Sequence, residues 1–204
     1  TRFCRDLIAF IWTRIKAQSD TTDASLSTKT QHRLNMDYAV EALRTLAESH
    51  GYIAYDVANT PNGLDVVFAL LMQPPTSATF SSAAQLLALL FTSPDFVVAV
   101  ASADPPCIWR LLRCMCTVDA PDVSHVWAAA EALASHPDGL NCLLDAGAVA
   151  QVLGTLMAVQ GYTNVYHSRL AAVNLLGKFL WNPVKGGDAS AMLRRYCCLA
   201  HIQI

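Results

Sequence analysis

Residues 41–49 read EALRTLAES, and similar runs return three more times along the chain. They are QLLALLFTS at 85–93, AAAEALAS at 128–135 and, more loosely, AAVNLLGKFL at 171–180. The leucines that align are Leu46, Leu90, Leu133 and Leu180. Their spacings of 44, 43 and 47 residues lie in the range of armadillo and HEAT repeats. Because such a repeat cannot bury its apolar face alone, the pattern predicts an all-α solenoid of about four stacked repeats.

Two shorter helical stretches follow each of the first three runs. They are predicted at 52–58 and 63–72, at 96–101 and 107–115, and at 140–145 and 148–159. Prolines stand at the joints between them, and Gly63 and Gly147 are assigned to corresponding turns. No segment shows sustained alternation of apolar and polar residues, so no sheet is predicted. Three helices per repeat, the first one short, is typical of armadillo more than of HEAT repeats.

The chain divides into three predicted parts. Residues 1–17 form a helix left from a preceding repeat, because their apolar residues recur at helical spacing. Residues 18–34 are rich in Ser, Thr and Asp, which predicts a flexible loop. Residues 35–204 form the armadillo-like repeat domain. Neither end carries the polar cap that a solenoid needs, so we expect a fragment of a longer chain, or ends that dock onto something.

Composition narrows the class of protein. Charged residues are 15% and hydrophobic residues 53%, against about 25% charged in ordinary soluble domains, so much of the chain should be buried. The sequence QPPTS at 73–77 interrupts the uncharged stretch 66–94, so no transmembrane segment is predicted. Seven cysteines, an odd number mostly within apolar helical patterns, indicate buried thiols in a reducing compartment.

The charge distribution gives only limited information about the binding partners of the protein. A net charge of −2 predicts no nucleic-acid partner. Between Arg44 and Arg110 the chain has no Lys or Arg but five acidic residues. This segment is either an ordinary solvated face, the favoured interpretation, or a surface for a basic partner.

The tripeptide His136-Pro137-Asp138 matches the one by which J-domains activate Hsp70. A J-domain places it after a strongly basic helix, whereas the run 126–134 holds one acid and no base. The tripeptide also falls at the joint that Ser93-Pro94-Asp95 occupies one repeat earlier. A turn in which proline ends one helix and Asp138 caps the next is therefore the favoured interpretation.

Metal binding and catalysis find little support in the sequence. The possible ligand sets are Cys114, Cys116 and His125, and Cys197, Cys198 and His201. Neither set has the doubled Cys pairs of structural zinc sites, so buried thiols are favoured, with no metal and no cofactor. The common nucleophile, metalloprotease and phosphate-binding motifs are absent from the sequence. Together with the solenoid fold, this predicts a protein that is not an enzyme.

Four residues are the candidates for protein binding: Trp109, Trp127, Trp181 and Asn174. Tryptophan is enriched in binding hot spots and could line a peptide groove. Packing between repeats is the favoured alternative for the tryptophans. Asn174 interrupts an apolar helical run, and armadillo grooves often use an asparagine to bind the backbone of an extended peptide.

Five blocks of the sequence are familiar: MDYAVEALR at 36–44, SRLAA at 168–172, KFL at 178–180, Gly186-Gly187 and LRRY at 193–196. They resemble the C-terminal armadillo-repeat region of the large endosomal DnaJ-domain proteins of receptor-mediated endocytosis, in DnaJ subfamily C. Gly147-Ala148 before the last long helix of the pattern also fits. The resemblance covers about 36–196, most of the chain.

The resemblance implies a segment of a cytoplasmic co-chaperone scaffold, peripheral to early endosomes, in vesicle trafficking. Through the full-length protein, the implied partners are Hsp70, retromer-associated sorting nexins and the actin-nucleating machinery. The family's J-domain and its lipid-binding part have no counterpart here, so none of their residues is carried over. The alternative function is a free-standing armadillo adaptor for extended peptides. It would need Asn and Trp at equal positions in successive repeats, and the tryptophans here stand at unequal ones.

Overall fold

The computed structural model describes residues 2–20, 26–103, 106–115, 123–157, 165–183 and 185–202. Within these ranges the chain forms twelve helices and no strand. The helices are α1 Arg2–Asp20, α2 Leu26–Ser49, α3 Tyr52–Ala58, α4 Gly63–Leu70, α5 Ala78–Leu90, α6 Pro94–Ser102, α7 Pro106–Met115, α8 Val123–Leu133, α9 Pro137–Asp145, α10 Ala148–Met157, α11 Val165–Leu180 and α12 Gly186–Ile202. This architecture confirms the predicted all-α fold.

The helices stack in three parallel layers. The long helices α2, α5, α8 and α11 pack one on the next, as do α3, α6 and α9, and α4, α7 and α10. Each complete repeat therefore contributes a short helix, a second helix and a long one. Helix α1 packs against α2 and α4 in the way that α4 packs against α5 and α7. It is therefore the equivalent of α4 in the preceding repeat. Helix α12 packs against α10 and α11. The predicted solenoid of stacked repeats is confirmed.

The aligned leucines of the second and third runs, Leu90 and Leu133, are buried in the core, and Leu46 packs against it. At the end of α11, Phe179 is fully buried, whereas Leu180 is half-buried. Phe179 is thus the counterpart of Leu133, at a spacing of 46, and the alignment through Leu180 is one residue out of register.

Hydrogen bonds between the long helices support this register. Ser82 bonds Glu41, Gln85 lies within hydrogen-bond distance of His125, and Asn174 bonds Glu131. These pairs are 41, 40 and 43 residues apart. Each separation is three less than the corresponding repeat spacing of 44, 43 or 46. Each long helix is therefore shifted by the same three residues relative to the long helix before it.

Glycine is needed where a helix end meets the next helix closely. A Cβ on Gly63, Gly139 or Gly186 would lie 2.0–2.5 Å from the carbonyl oxygen of the residue six positions earlier. The match of Gly63 with Gly147 was wrong. Gly147 has a left-handed φ of +79°, and the residue with that conformation before α4 is Asn62, at +61°. Asparagine tolerates this conformation better than most side chains, and glycine adopts it freely.

The predicted flexible loop at 18–34 is also corrected. Helix α1 continues to Asp20 and α2 begins at Leu26, while 21–25 lie outside the described residues. The first turns of α2 are polar, and Gln31 donates a side-chain hydrogen bond to Asn35 at 3.2 Å. A polar helical extension carries no apolar periodicity, so the sequence pattern could not distinguish it from a loop.

In the described part of the chain, no single helix has the length and apolar composition to cross a membrane, although two sharply bent helix pairs pass that test together.

Candidate protein-binding surface

The four long helices present one continuous face, and polar side chains bridge neighbouring helices along it. Ser82 of α5 donates to Glu41 of α2 at 2.9 Å, and Thr79 donates to Asp37. Further along, Gln85 Nε2 lies 3.1 Å from His125 Nε2 of α8. We call the bridges at Glu41–Ser82, Gln85–His125 and Glu131–Asn174 the polar seam. Because each bridge ties one repeat to the next, the seam fixes the relative position of the long helices.

At its first helix the seam carries a charged cluster. The Arg44 guanidinium donates to both carboxylate oxygens of Glu41, at 2.7–3.2 Å, and to Glu48 at 3.1 Å. The hydrogen bonds from Arg44 to Glu41 hold the pKa of Glu41 below its usual range. Partial burial of Glu41 acts in the opposite direction, and the bond from Ser82 adds to the lowering. The same contact with Glu41 raises the pKa of Arg44. Glu41 is therefore a fixed anion with its guanidinium partner in place.

At its last helix the seam is held by Asn174 and Lys178. The Asn174 amide donates to Glu131 Oε1 at 3.0 Å. Lys178 Nζ donates to the Glu131 carbonyl oxygen at 3.0 Å and to Ser135 Oγ at 2.9 Å. Asn174 is exposed and lies on the long-helix face, where its amide nitrogen is already engaged by α8.

The structure separates the predicted tryptophans. Trp127 is 1% exposed and cannot line a groove, which removes it as a binding candidate and agrees with the favoured alternative of packing inside the stack. It lies one turn before Glu131, which bonds α11, and its side chain is enclosed in the core. Trp109, 52% exposed, belongs to α7 in another layer. Trp181, 89% exposed, follows α11 directly. Only Trp181 and Asn174 share the long-helix face.

Helix α11 adds two exposed residues that the sequence interpretation missed. Leu170 and Val173 are 51% and 54% exposed. At 100° per residue they lie within about 80° of each other and of Trp181 around the helix axis. We call Leu170, Val173 and Trp181 the α11 apolar stripe. The signal was present in the sequence, since the run 170–181 is apolar on more sides than one buried face requires.

A separate cleft of about 400 Å³ opens between α6 and α9. Its lining includes Ser102, Asp138, Asn141, Cys142 and Asp145. Burial, and secondarily the carboxylate of Asp145, raises the pKa of the Cys142 thiol. The protonated form of a thiol is the weaker nucleophile.

The other sequence candidates resolve as structural elements. His136 precedes α9 without a side-chain cap bond, Pro137 is its first residue, and Asp138 lies in its first turn. The tripeptide therefore forms a helix joint, like Ser93-Pro94-Asp95 before α6. Asp138 is not the cap itself. Its carboxylate in the first turn interacts favourably with the helix dipole.

The thiol of Cys114 is buried and donates to the Leu71 carbonyl oxygen at 3.3 Å. Among the residues that the structure describes, no three His, Cys, Asp or Glu side chains are grouped to hold a metal ion. Cys116 lies outside these residues, and the side chains of Cys197, Cys198 and His201 are not among those described.

Comparison with known proteins adds evidence on the fold alone. No protein-family model matches the chain, and no curated protein matches it either. A crystal structure of an engineered protein, a structural genomics target, is similar over 93% of this chain and 67% of its own, with a TM-score of 0.67 and 17% identity. At that identity the likeness supports the solenoid architecture and carries no statement of function.

Proposed function

We propose that this chain is a non-enzymatic helical-repeat scaffold that presents a protein-binding surface. The observation that carries the proposal is the continuous long-helix face, in which one offset and one polar seam unite four repeats. Solenoids use extended surfaces of this kind to hold partners. The face offers hydroxyl, amide and carboxylate groups on a rigid frame, which suits contacts with a folded protein or a peptide.

We place this scaffold, by the sequence resemblance, in an endosomal trafficking co-chaperone of the DnaJ-related class. On that proposal the protein is cytoplasmic and peripheral to early endosomes. Its partners through the full-length chain are Hsp70 and retromer-associated sorting nexins. The resemblance of 36–44 and of the blocks between 168 and 196 supports this assignment.

The alternative, an armadillo adaptor for extended peptides, has less support. It requires a row of equivalent groove residues, yet Trp127 is buried and the Asn174 amide nitrogen bonds Glu131. Trp109 and Trp181 lie in different layers. Asn174 and Trp181 lie at one end of the long-helix face, so they would bind a peptide at one point rather than along a groove.

Binding of purified retromer-associated sorting nexins to the chain, measured by biolayer interferometry, tests the proposal. Ala128→Glu places a charge on an exposed position of α8 in the middle of the long-helix face. We expect saturable binding that this change weakens at least tenfold. Val98→Glu is the matched control, because Val98 is exposed on α6 in another layer.

Sorting nexins that bind neither the chain nor its variants would refute the endosomal assignment. Equal weakening by the two variants would refute the long-helix face as the surface used. Circular dichroism of both variants checks that each keeps its helical fold, which we expect because both positions are exposed.

A further inference from the structure

Helices α2, α5 and α8 each pack along one edge against the next long helix of the stack. At equivalent positions on that edge stand Val40, Ala84 and Trp127, which are at most 1% exposed. The corresponding residue of α11, by the spacing of 46, is Val173. It is 54% exposed. The edge that is buried three times in succession is thus open on α11.

One neighbouring position follows the same rule. Leu43, Leu87 and Ala130 are fully buried, whereas their counterpart Leu176 is only half-buried. At the next position Phe91 and Ala134 are buried, whereas Ala47 of α2 and Leu180 of α11 are both half-buried, so this position alone does not distinguish α11. We call Val173, Leu176 and Leu180 the outer edge of α11. Its side chains are as large and apolar as those that the stack covers elsewhere.

We propose that the outer edge of α11 is a docking site for one further long amphipathic helix of the same kind as α5 and α8. The surface continues an interface that the molecule already builds three times, between α2 and α5, α5 and α8, and α8 and α11. The repeated geometry therefore defines the occupant. Its contact face carries residues like Leu86 and Ala129, which are fully buried and lie one turn after Ser82 and His125, the residues that meet the preceding helix.

A second copy of this chain does not supply that contact face. The helix that it would offer is α2, whose free edge has Tyr38 where α5 and α8 have Ser82 and His125. Tyr38 is 73% exposed, and its ring would hold the incoming helix away from Val173. The occupant is a helix from another polypeptide segment, with small or aliphatic residues at this edge.

A stapled helical peptide with the sequence 77–92, which reproduces α5 and its caps, is the probe. Its binding to the intact chain is measured by fluorescence anisotropy. We expect saturable binding that Val173→Asp weakens at least tenfold. Val98→Asp should leave the affinity within twofold, because Val98 is an equally exposed valine on α6. The same peptide with Leu86→Glu should not bind, since Leu86 lies one turn after Ser82, the residue that meets the preceding helix.

Two outcomes overturn the inference: absence of saturable binding, or equal weakening by both protein variants. Sedimentation velocity of the chain alone provides a third. Self-association that Val173→Asp abolishes would make the occupant a second copy and refute the proposal. This inference is independent of the proposed function, because Ala128→Glu, which tests the sorting-nexin surface, leaves the outer edge of α11 unchanged.

Discussion

Trp127 and Trp181 are the same residue type in opposite environments. Trp127 lies on α8 and is buried in the core, whereas Trp181 follows α11 and is almost wholly exposed. By the repeat register Trp181 stands at the position of Ser135, which faces solvent, whereas Trp127 stands at the position of buried Ala84. The comparison teaches that register within the solenoid, and not residue type, decides which side chains the stack buries.

The largest expected difference is between alanine substitutions at these two tryptophans. Trp127→Ala removes a fully enclosed side chain and leaves a cavity, so we expect a loss of about 3–5 kcal/mol in the free energy of unfolding. Trp181→Ala should change it by less than about 0.5 kcal/mol, because the side chain is exposed. Urea denaturation monitored by circular dichroism measures both. Similar losses would show that Trp181 is packed in solution.

Glycine substitutions sharpen the same contrast at a smaller scale. A Cβ on Gly139, at an interior joint, would lie 2.2 Å from the Leu133 carbonyl oxygen and 2.5 Å from its Cδ1. Gly139→Ala must shift the joint, and we expect a loss of about 1–3 kcal/mol. Gly177 on α11 has nothing within 4 Å, so Gly177→Ala should stabilise the helix by up to about 1 kcal/mol. A destabilising Gly177→Ala would indicate that this face is already occupied.

The smallest expected effect concerns the charged cluster on α2, which has no equivalent in the α11 apolar stripe. Because the folded-state pKa of Glu41 is lowered, its contribution is present above the unfolded pKa of about 4.3. It is lost as pH falls through the folded pKa. Glu41 is about half-exposed, so Glu41→Gln should cost less than about 1 kcal/mol at pH 7.

The checking measurement for this cluster is thermal unfolding of both proteins from pH 7 to pH 3. The difference between them should shrink as the solution becomes more acidic. It should also shrink with added salt, which screens exposed charges. A difference that grows toward low pH would contradict the assigned direction of the shift.

The repeat was predictable from the sequence because each of its joints is marked by residues that end or begin helices. Helix α3 was placed at its observed bounds, and α4, α6, α7, α9 and α10 began or ended within a few residues of prediction. Prolines and a glycine mark these joints, and prolines rarely stand in a helix interior. The polar start of α2 was missed because nothing in its pattern separates a solvated helix from a loop.

The surface was less predictable than the fold. Trp127 and Trp181 occur in similar apolar runs, and their different burial follows from their different register positions in the repeat, which the apolar pattern alone does not distinguish. The polar seam joins side chains about 40 residues apart, and such pairing depends on a stacking offset that the linear pattern does not contain. One residue of register at Phe179 and Leu180 changed which face of α11 was assigned to the core.

The polar seam has a mechanical consequence. Its bridges join only adjacent repeats, so tension applied along the stack loads each contact between repeats in series. An end repeat can detach while the others remain folded. Extending about 43 released residues lengthens the chain by roughly 140 Å. A tether built this way would yield in discrete steps under force and would shorten again, one repeat at a time, when the force is removed.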